Sequence, residues 1–510
     1  MSGMEASGLE RSRLSFVWTL FDHGALAILG LLVYVMVTRI GRHRRQPSAA
    51  VAWVVLIAAL PYVGLPLFLF FGTRKYARPR MRLAAATGTP TRELNAAPAS
   101  GGEPGVEAGP AVAGPAWATQ LLVAFEMPPP TAGNRVAFQE DGQASWRALL
   151  ALFRDAERTL DVCTFLLGDD ETGATVVREL ERTAARGVRV RLLLDAFGSF
   201  RTSRSGLRTL RRAGVTVQWF MPLLHNPLRG RTNLRNHRKL VVADGARVWS
   251  GGRNLANEYF VDRPGRPAWE DLSFTVHGPL ATHAQALFDH DWSMASGRGR
   301  RAVSAVSAAD EGEALPDAAA MPSWPVETEG AGGAVAQIIA SGPDHADDTV
   351  YSLLLSAAYQ ARRRLRIATP YFVPDDALLS ALCLACRRGV RVTVLIPARS
   401  NHRLADIARE RSVRQLVRAG GKVLLDPEMM HAKAVVIDDR LALCGTANVD
   451  TRSLLLNFEV MAAFYGRAEI AWLDAWISGR ADRASPAEAR LPGWWRDVLE
   501  GVVRAVGYQL

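Results

Sequence analysis

A chain of 510 residues with 49% hydrophobic content has room for two or three domains plus membrane segments. Its formal charge of +11 and pI near 9.9 favour an anionic partner, either a lipid surface or nucleic acid. The four cysteines, Cys163, Cys383, Cys386 and Cys444, sit in apolar runs, which argues against a disulfide framework and for reduced core thiols. Cys383 and Cys386 form a C-x-x-C, but no second pair follows and the surrounding stretch reads as a buried helix.

In chain order, the first apolar run covers Leu14 to Ile40 and the second, uncharged, covers Ala49 to Gly72. Each is long enough for a membrane span of about 20 residues, so residues 14–40 and 49–72 read as a two-helix transmembrane hairpin. Pro61 and Pro66 are positioned to kink the second segment or make it re-entrant. More basic residues flank the hairpin than lie in its loop, which places the large remainder in the cytoplasm and makes the chain a multi-pass protein of the cell membrane. Residues 83–115 and 296–333 turn to Ala, Gly, Pro and Thr without periodicity, as flexible linkers do.

Between and after the linkers lie two halves, 116–295 and 334–480, that repeat each other. RGVRVRLLLD (Arg186 to Asp195) matches RGVRVTVLIP (Arg388 to Pro397): a helix end, a glycine stop at Gly187 or Gly389, and a buried strand. AERTLDVCTF (Ala156 to Phe165) matches ARRRLRIATP (Ala361 to Pro370), and RAGVTV (Arg212 to Val217) matches RAGGKV (Arg418 to Val423). Helices alternating with apolar strands predict two α/β lobes, each with a mainly parallel sheet covered by helices. The tail, 488–510, places Trp494, Trp495, Val498, Leu499, Val502, Val503 and Val506 on one helical face, suited to a membrane surface or to packing on a lobe.

The strongest repeat is NHRKLVVADGARVWSGGRN (Asn236 to Asn254) against MHAKAVVIDDRLALCGTAN (Met430 to Asn448). It matches His237, Lys239, Asp244, Gly251 and Asn254 with His431, Lys433, Asp438, Gly445 and Asn448. The chain contains only four lysines, Lys75, Lys239, Lys422 and Lys433, and two of them fall at matched positions. A surface charge would accept arginine; a compact ammonium that approaches phosphate as a point charge and shifts its pKa would not. Each copy reads as a strand, a tight turn and a returning strand, with His and Lys on one face. Asp244 and Asp438 stand at the turns, where turn chemistry accounts for them more readily than catalysis, and they remain candidates.

Two histidines and two lysines on facing lobes supply what a phosphodiester transfer needs. One imidazole attacks phosphorus to form a phosphohistidine, and the other protonates the departing oxygen. The ammonium groups, Asn254, Asn448 and the Thr446 hydroxyl would hold the charged oxygens. Asp271 and Glu459, each about a strand pair beyond its motif, are candidates to fix the imidazole tautomers. This chemistry requires no metal or cofactor.

The paired motif resembles the phospholipase D superfamily, and more closely its bacterial cardiolipin synthases. Further stretches carrying the likeness are the AW…LP..G…FG pattern of the apolar segments, NEY, SGPD (Ser341 to Asp344), TPYFVPDD (Thr369 to Asp376) and DTRSLLLNFEV (Asp450 to Val460). The resemblance implies transfer of a phosphatidyl group between two phosphatidylglycerol molecules with release of glycerol. It puts the functional positions on His237, Lys239, Asn254, His431, Lys433, Thr446 and Asn448; His237 is taken as nucleophile and His431 as acid, an order that nothing in the sequence fixes. It makes anionic membrane lipids, not nucleic acid, the expected partners and leaves the oligomeric state open. Rival readings are a hydrolase or a synthase with another alcohol acceptor, a nucleic-acid phosphodiesterase, and a non-enzymatic lipid-binding scaffold.

Overall fold

The computed structural model describes residues 22–36, 47–71, 114–221, 234–296, 333–345 and 348–506. The two linkers lie outside these residues except at their ends, as do residues 14–21 and the basic loop of the hairpin.

The first lobe contributes strands β1 (Thr131–Gln139), β2 (Thr159–Thr164), β3 (Arg189–Asp195), β4 (Thr216–Phe220), β5 (Arg235–Asn236), β6 (Leu240–Ala243), β7 (Arg247–Gly251) and β8 (Ser273–His277). The second contributes β9 (Ala334–Ser341), β10 (Arg364–Ala368), β11 (Phe372–Val373), β12 (Arg391–Pro397), β13 (Lys422–Asp426), β14 (Ala434–Ile437), β15 (Leu441–Gly445), β16 (Val449–Asp450), β17 (Asn457–Phe464) and β18 (Ser485–Pro486). Sixteen of these strands form one sheet, because β1 of the first lobe pairs antiparallel with β9 of the second.

The expectation of mainly parallel sheets is corrected. Within each lobe's half of the large sheet the parallel run is short, β2–β3–β4 and β10–β12–β13; the strands toward the seam, β6–β7–β8–β1 and β14–β15–β17–β9, are antiparallel. The reason is in the motif itself, since strands joined by a tight turn can pair only antiparallel. The turns are built as the sequence suggests: Asp244 and Gly245 take φ 56 and 68, and Asp438 takes φ 50. The repeated Gly187 and Gly389 adopt φ 90 and 89, the left-handed step that ends each preceding helix.

A buried cluster containing Val136, Leu240, Phe274, Phe288, Val436, Phe458 and Phe464 crosses from lobe to lobe, so the two halves share one core. The helix Ala116–Ala124 belongs to the other side of the boundary drawn from sequence: Ala118 and Leu122 are buried with Leu353, Leu365 and Leu382 of the second lobe.

At the N-terminus, helices occupy 22–36, Pro47–Ala59 and Pro61–Phe71. Among the described residues no helix is long and apolar enough to cross a membrane. The second apolar run is broken at Leu60 because Pro61 lacks an N–H and disfavours helical geometry in the residue before it. Tyr34, Ile57 and Phe68 pack these helices together. The C-terminal helix Trp494–Val506 buries Glu500 and Val503, and Glu500 accepts from Arg414 at 2.5 Å. Trp494 and Trp495 stay 67% and 78% exposed.

Candidate active site

Both His-x-Lys segments lie just ahead of their motif hairpins, in extended chain whose backbone partners come from the opposite lobe. β5 pairs parallel with the start of β17, and the His237 N–H then donates to the Phe458 carbonyl at 2.9 Å. Symmetrically, the Glu270 N–H donates to Met429 and the His431 N–H to the Glu270 carbonyl at 2.6 Å. The residue after each accepting carbonyl is an acid. His237 Nδ1 therefore stands 3.0 Å from Glu459 Oε2, and His431 Nδ1 stands 2.7 Å from Asp271 Oδ2. Each acid sits on the other lobe's histidine, not on its own as the strand-pair spacing suggested.

The lysines are fully buried beside the rings. Lys239 Nζ donates to the His237 carbonyl at 2.9 Å, whereas Lys433 Nζ lies 2.6 Å from His431 Nδ1 and 3.2 Å from Nε2 and also donates to the His431 carbonyl. Burial lowers Lys239 to about 7 and Lys433 to about 8, against the opposing pull of Glu459 and Asp271. Burial, and then the Lys433 charge, push His431 down to about 3; burial lowers His237 as well. Each histidine feels the other lobe's lysine, and Lys433 disfavours the charge on Lys239, so the four groups share one electrostatic environment. Both acids are nonetheless held below their usual range: desolvation opposes ionisation, but the adjacent histidine and lysine charges outweigh it.

Asn254 and Asn448 are buried. Asn254 Nδ2 donates to the Tyr259 hydroxyl at 2.7 Å, and neither Oδ1 has a partner among the described residues. Thr446 is placed differently from the phosphate-binding role expected of it. Its hydroxyl is fully buried, donates to Glu459 Oε2 at 2.5 Å and accepts from the Val460 N–H at 2.9 Å. Ser453 and Asn457 donate to Glu459 Oε1 at 2.6 and 3.3 Å, so the carboxylate is held by three side chains. At the matched position of the first copy, a Cβ on Gly252 would lie 2.1 Å from Asp271 Oδ1.

Asp244 and Asp438 stand at the far ends of the hairpins from the histidines. Asp244 accepts from the N–H groups of Glu157, Arg158 and Thr159, and Asp438 from those of Arg362, Arg363 and Arg364. Each pins the loop that leads into β2 or β10, the turn chemistry that the sequence favoured for them over catalysis. Sequence reasoning also left out the rings around the imidazoles. Phe165 lies 5.0 Å from the His237 ring, and Tyr259 and Trp269 lie 5.2 and 5.5 Å from the His431 ring. Tyr259 falls in NEY and Trp269 two residues before Asp271, where the aromatic next to a candidate acid was the available signal.

The family model described as "Cardiolipin synthase, PLD-like domain" matches residues 149–292 and 354–480, and one described as "Phospholipase_D-nuclease N-terminal" matches residues 25–72. The cardiolipin synthase A of Pseudomonas entomophila is 33% identical over 458 residues, covering 86% of this chain and 88% of the relative. That of Pseudomonas aeruginosa is 32% identical over 472 residues, covering 90% and 89%. The crystal structure of phosphatidylserine synthase from Haemophilus influenzae Rd KW20 superposes with a TM-score of 0.54 at 16% identity, covering 74% of this chain and 94% of that one, a likeness of fold. The chain belongs to the cardiolipin synthase family of phospholipase D-like proteins.

Proposed function

We propose that this chain is a phosphatidyltransferase that makes cardiolipin from two phosphatidylglycerol molecules. The observation that carries the reading is the crossed pair of His–acid contacts, each with a buried lysine against its histidine, a set of cationic and proton-transferring groups drawn from both lobes. In the proposed first step, His237 Nε2, its tautomer fixed by Nδ1–H donating to Glu459, attacks phosphorus. The P–O bond to glycerol breaks, His431, protonated as the anionic substrate binds beside it and offsets the burial that holds the ring neutral, gives the departing oxygen its proton, and a phosphatidyl group remains on His237. In the second step a glycerol hydroxyl of another phosphatidylglycerol loses its proton to His431 and attacks phosphorus, which releases His237 and forms cardiolipin. Lys239 and Lys433 hold the non-bridging oxygens, and the anion restores the ammonium charge that burial disfavours. Asn254 and Asn448 border the same group.

The apolar N-terminal helices serve, in this reading, as a multi-pass anchor in the cell membrane with the lobes in the cytoplasm. Ile28, Leu32, Met36, Val51, Val55 and Val63 are exposed apolar side chains that lipid would cover. The test is product analysis from labelled phosphatidylglycerol. Cardiolipin and glycerol should appear in equal amounts, and His237→Ala and His431→Ala should each reduce the rate on the order of 10³-fold or more. Phosphatidic acid as the only product would replace transfer with hydrolysis.

A further inference from the structure

The loop after β3 carries two phenylalanines outward: Phe197 is 55% and Phe200 62% exposed, with their rings 6.3 Å apart. Single exposed apolar residues are ordinary, but an adjacent pair on a rigid loop is not. Asp195, nearly fully buried, accepts from the Phe197 and Gly198 N–H groups at 2.9 and 3.0 Å. Ser199 donates to the Phe165 carbonyl at 2.9 Å and Thr202 to Leu167 at 2.7 Å. The rings are therefore held out by a pinned backbone.

The same anchors tie this loop to the active site. Asp195 Oδ2 also accepts from the Asn236 N–H at 2.9 Å, one residue before His237. A Cβ on Gly198 would press on Phe165, whose ring lies 5.0 Å from the His237 ring. The loop thus continues the carboxyl ends of β2 and β3, the edge of an α/β sheet where ligands enter. Exposed Arg201 and Arg204 follow the phenylalanines, and the Arg201 guanidinium lies 5.6 Å from the Phe200 ring. Two aromatic rings backed by arginine match a surface of apolar chains under anionic headgroups. The equivalent loop after β12 carries no aromatic pair: Arg399, Asn401 and His402 are exposed there, Leu404 follows at 46% exposed, and the Tyr371 hydroxyl donates to Asn401 at 2.6 Å.

We infer that Phe197 and Phe200 form a rim that inserts into the lipid surface beside the first half-site, so that a phospholipid headgroup can reach His237 without its acyl chains leaving the bilayer. The inference rests on the proposed phospholipid substrate and adds where that substrate enters: over the first lobe, not the second.

The test uses the full chain reconstituted in vesicles of long-chain phosphatidylglycerol. The double variant F197S/F200S should lose about tenfold more rate on vesicle substrate than on dihexanoyl phosphatidylglycerol below its micelle concentration. F197W/F200W should restore the ratio. Equal losses on both substrates overturn the rim. Independently, p-benzoylphenylalanine in place of Phe200 should photo-crosslink to radiolabelled lipid, while the same group in place of Arg182 on the exposed helix behind should not. Adducts formed only with the chain itself also overturn the rim. Because crosslinking reads contact without catalysis, lipid adducts on a chain that makes no cardiolipin would reject the transferase reading and keep the rim. Cardiolipin synthesis without adducts and with equal losses would do the reverse.

Discussion

The two half-sites come from one repeated motif, yet they are built unequally. Glu459 reaches His237 with three side-chain donors, Thr446, Ser453 and Asn457, fixing both of its oxygens. Asp271 is one methylene shorter, accepts from its neighbour's N–H at Leu272, and lies where any side chain on Gly252 would collide with it. The lysines differ in the same sense: Lys433 is folded against the His431 ring, while Lys239 donates to the His237 carbonyl and lies over the Phe165 ring. A fixed carboxylate holds one tautomer, as a nucleophile requires, whereas a less restrained one suits a ring that gains and gives a proton.

The sharpest way to break this comparison is to change the leaving group. Glu459→Gln and Asp271→Asn should each lower cardiolipin synthesis on the order of 10⁴-fold, as the loss of a tautomer-fixing acid does elsewhere. With phosphatidyl-p-nitrophenol, whose leaving group needs no proton, Asp271→Asn and His431→Ala should recover p-nitrophenol release while Glu459→Gln and His237→Ala stay inactive. Recovery of the opposite pair would exchange the roles of the two histidines. Gly252→Ala should behave like Asp271→Asn, since the added Cβ displaces the carboxylate. A smaller effect is expected at Thr446: Thr446→Val removes a hydrogen bond to a charged group, about 1.5–3 kcal/mol, or a loss of about ten- to a hundredfold. Thr446→Ser should keep most activity. If Thr446→Val left the rate unaltered, the hydroxyl network would have no part in holding Glu459.

Much of this was legible in the residues, for a physical reason. The repeat spacing, the two lysines in an arginine-rich chain and the turn at Asp244 are local or self-similar signals, and a tight turn also dictated antiparallel pairing that the helix–strand alternation concealed. What crosses the seam was not legible. Nothing near His237 in the chain points to Glu459 in particular, because the contact depends on β5 pairing with β17 from the other lobe. Thr446 shows the same limit: a hydroxyl in a motif looks like a ligand until the depth of its carboxylate partner is known. The helix Ala116–Ala124 joined the distant lobe's core because its apolar face fits there, and an apolar face does not name its partner.

The lysines give an effect of intermediate size that depends on pH. Burial leaves Lys239 at about 7 and Lys433 at about 8, so both are partly neutral at pH 8. A bound tetrahedral oxyanion such as tungstate favours the ammonium form, raises both values and therefore takes up protons at pH 8. Its affinity should fall above pH 8 by roughly tenfold per pH unit for each lysine that must regain a proton. Calorimetry in two buffers of different ionisation heat reads the uptake directly. Binding without proton uptake would mean the lysines are already charged when the anion arrives.

The smallest expected effect on rate, and a clear one on stability, separates the turn acids from the site. Asp244→Asn and Asp438→Asn keep a residue tolerant of positive φ but remove the charge that three backbone N–H groups share, at a cost of about 1–3 kcal/mol each. Both carboxylates are held below their ordinary 3.8, because those N–H bonds outweigh desolvation. The sign follows: a depressed carboxylate contributes stability that is fully present above pH 3.8 and is lost as pH falls through its folded-state value. The urea midpoint of each variant should therefore lie below that of the parent at pH 7, and the gap should shrink below pH 3.8, while the rate per folded molecule stays within about twofold. A collapse in rate without a shift in midpoint would return Asp244 or Asp438 to the chemistry.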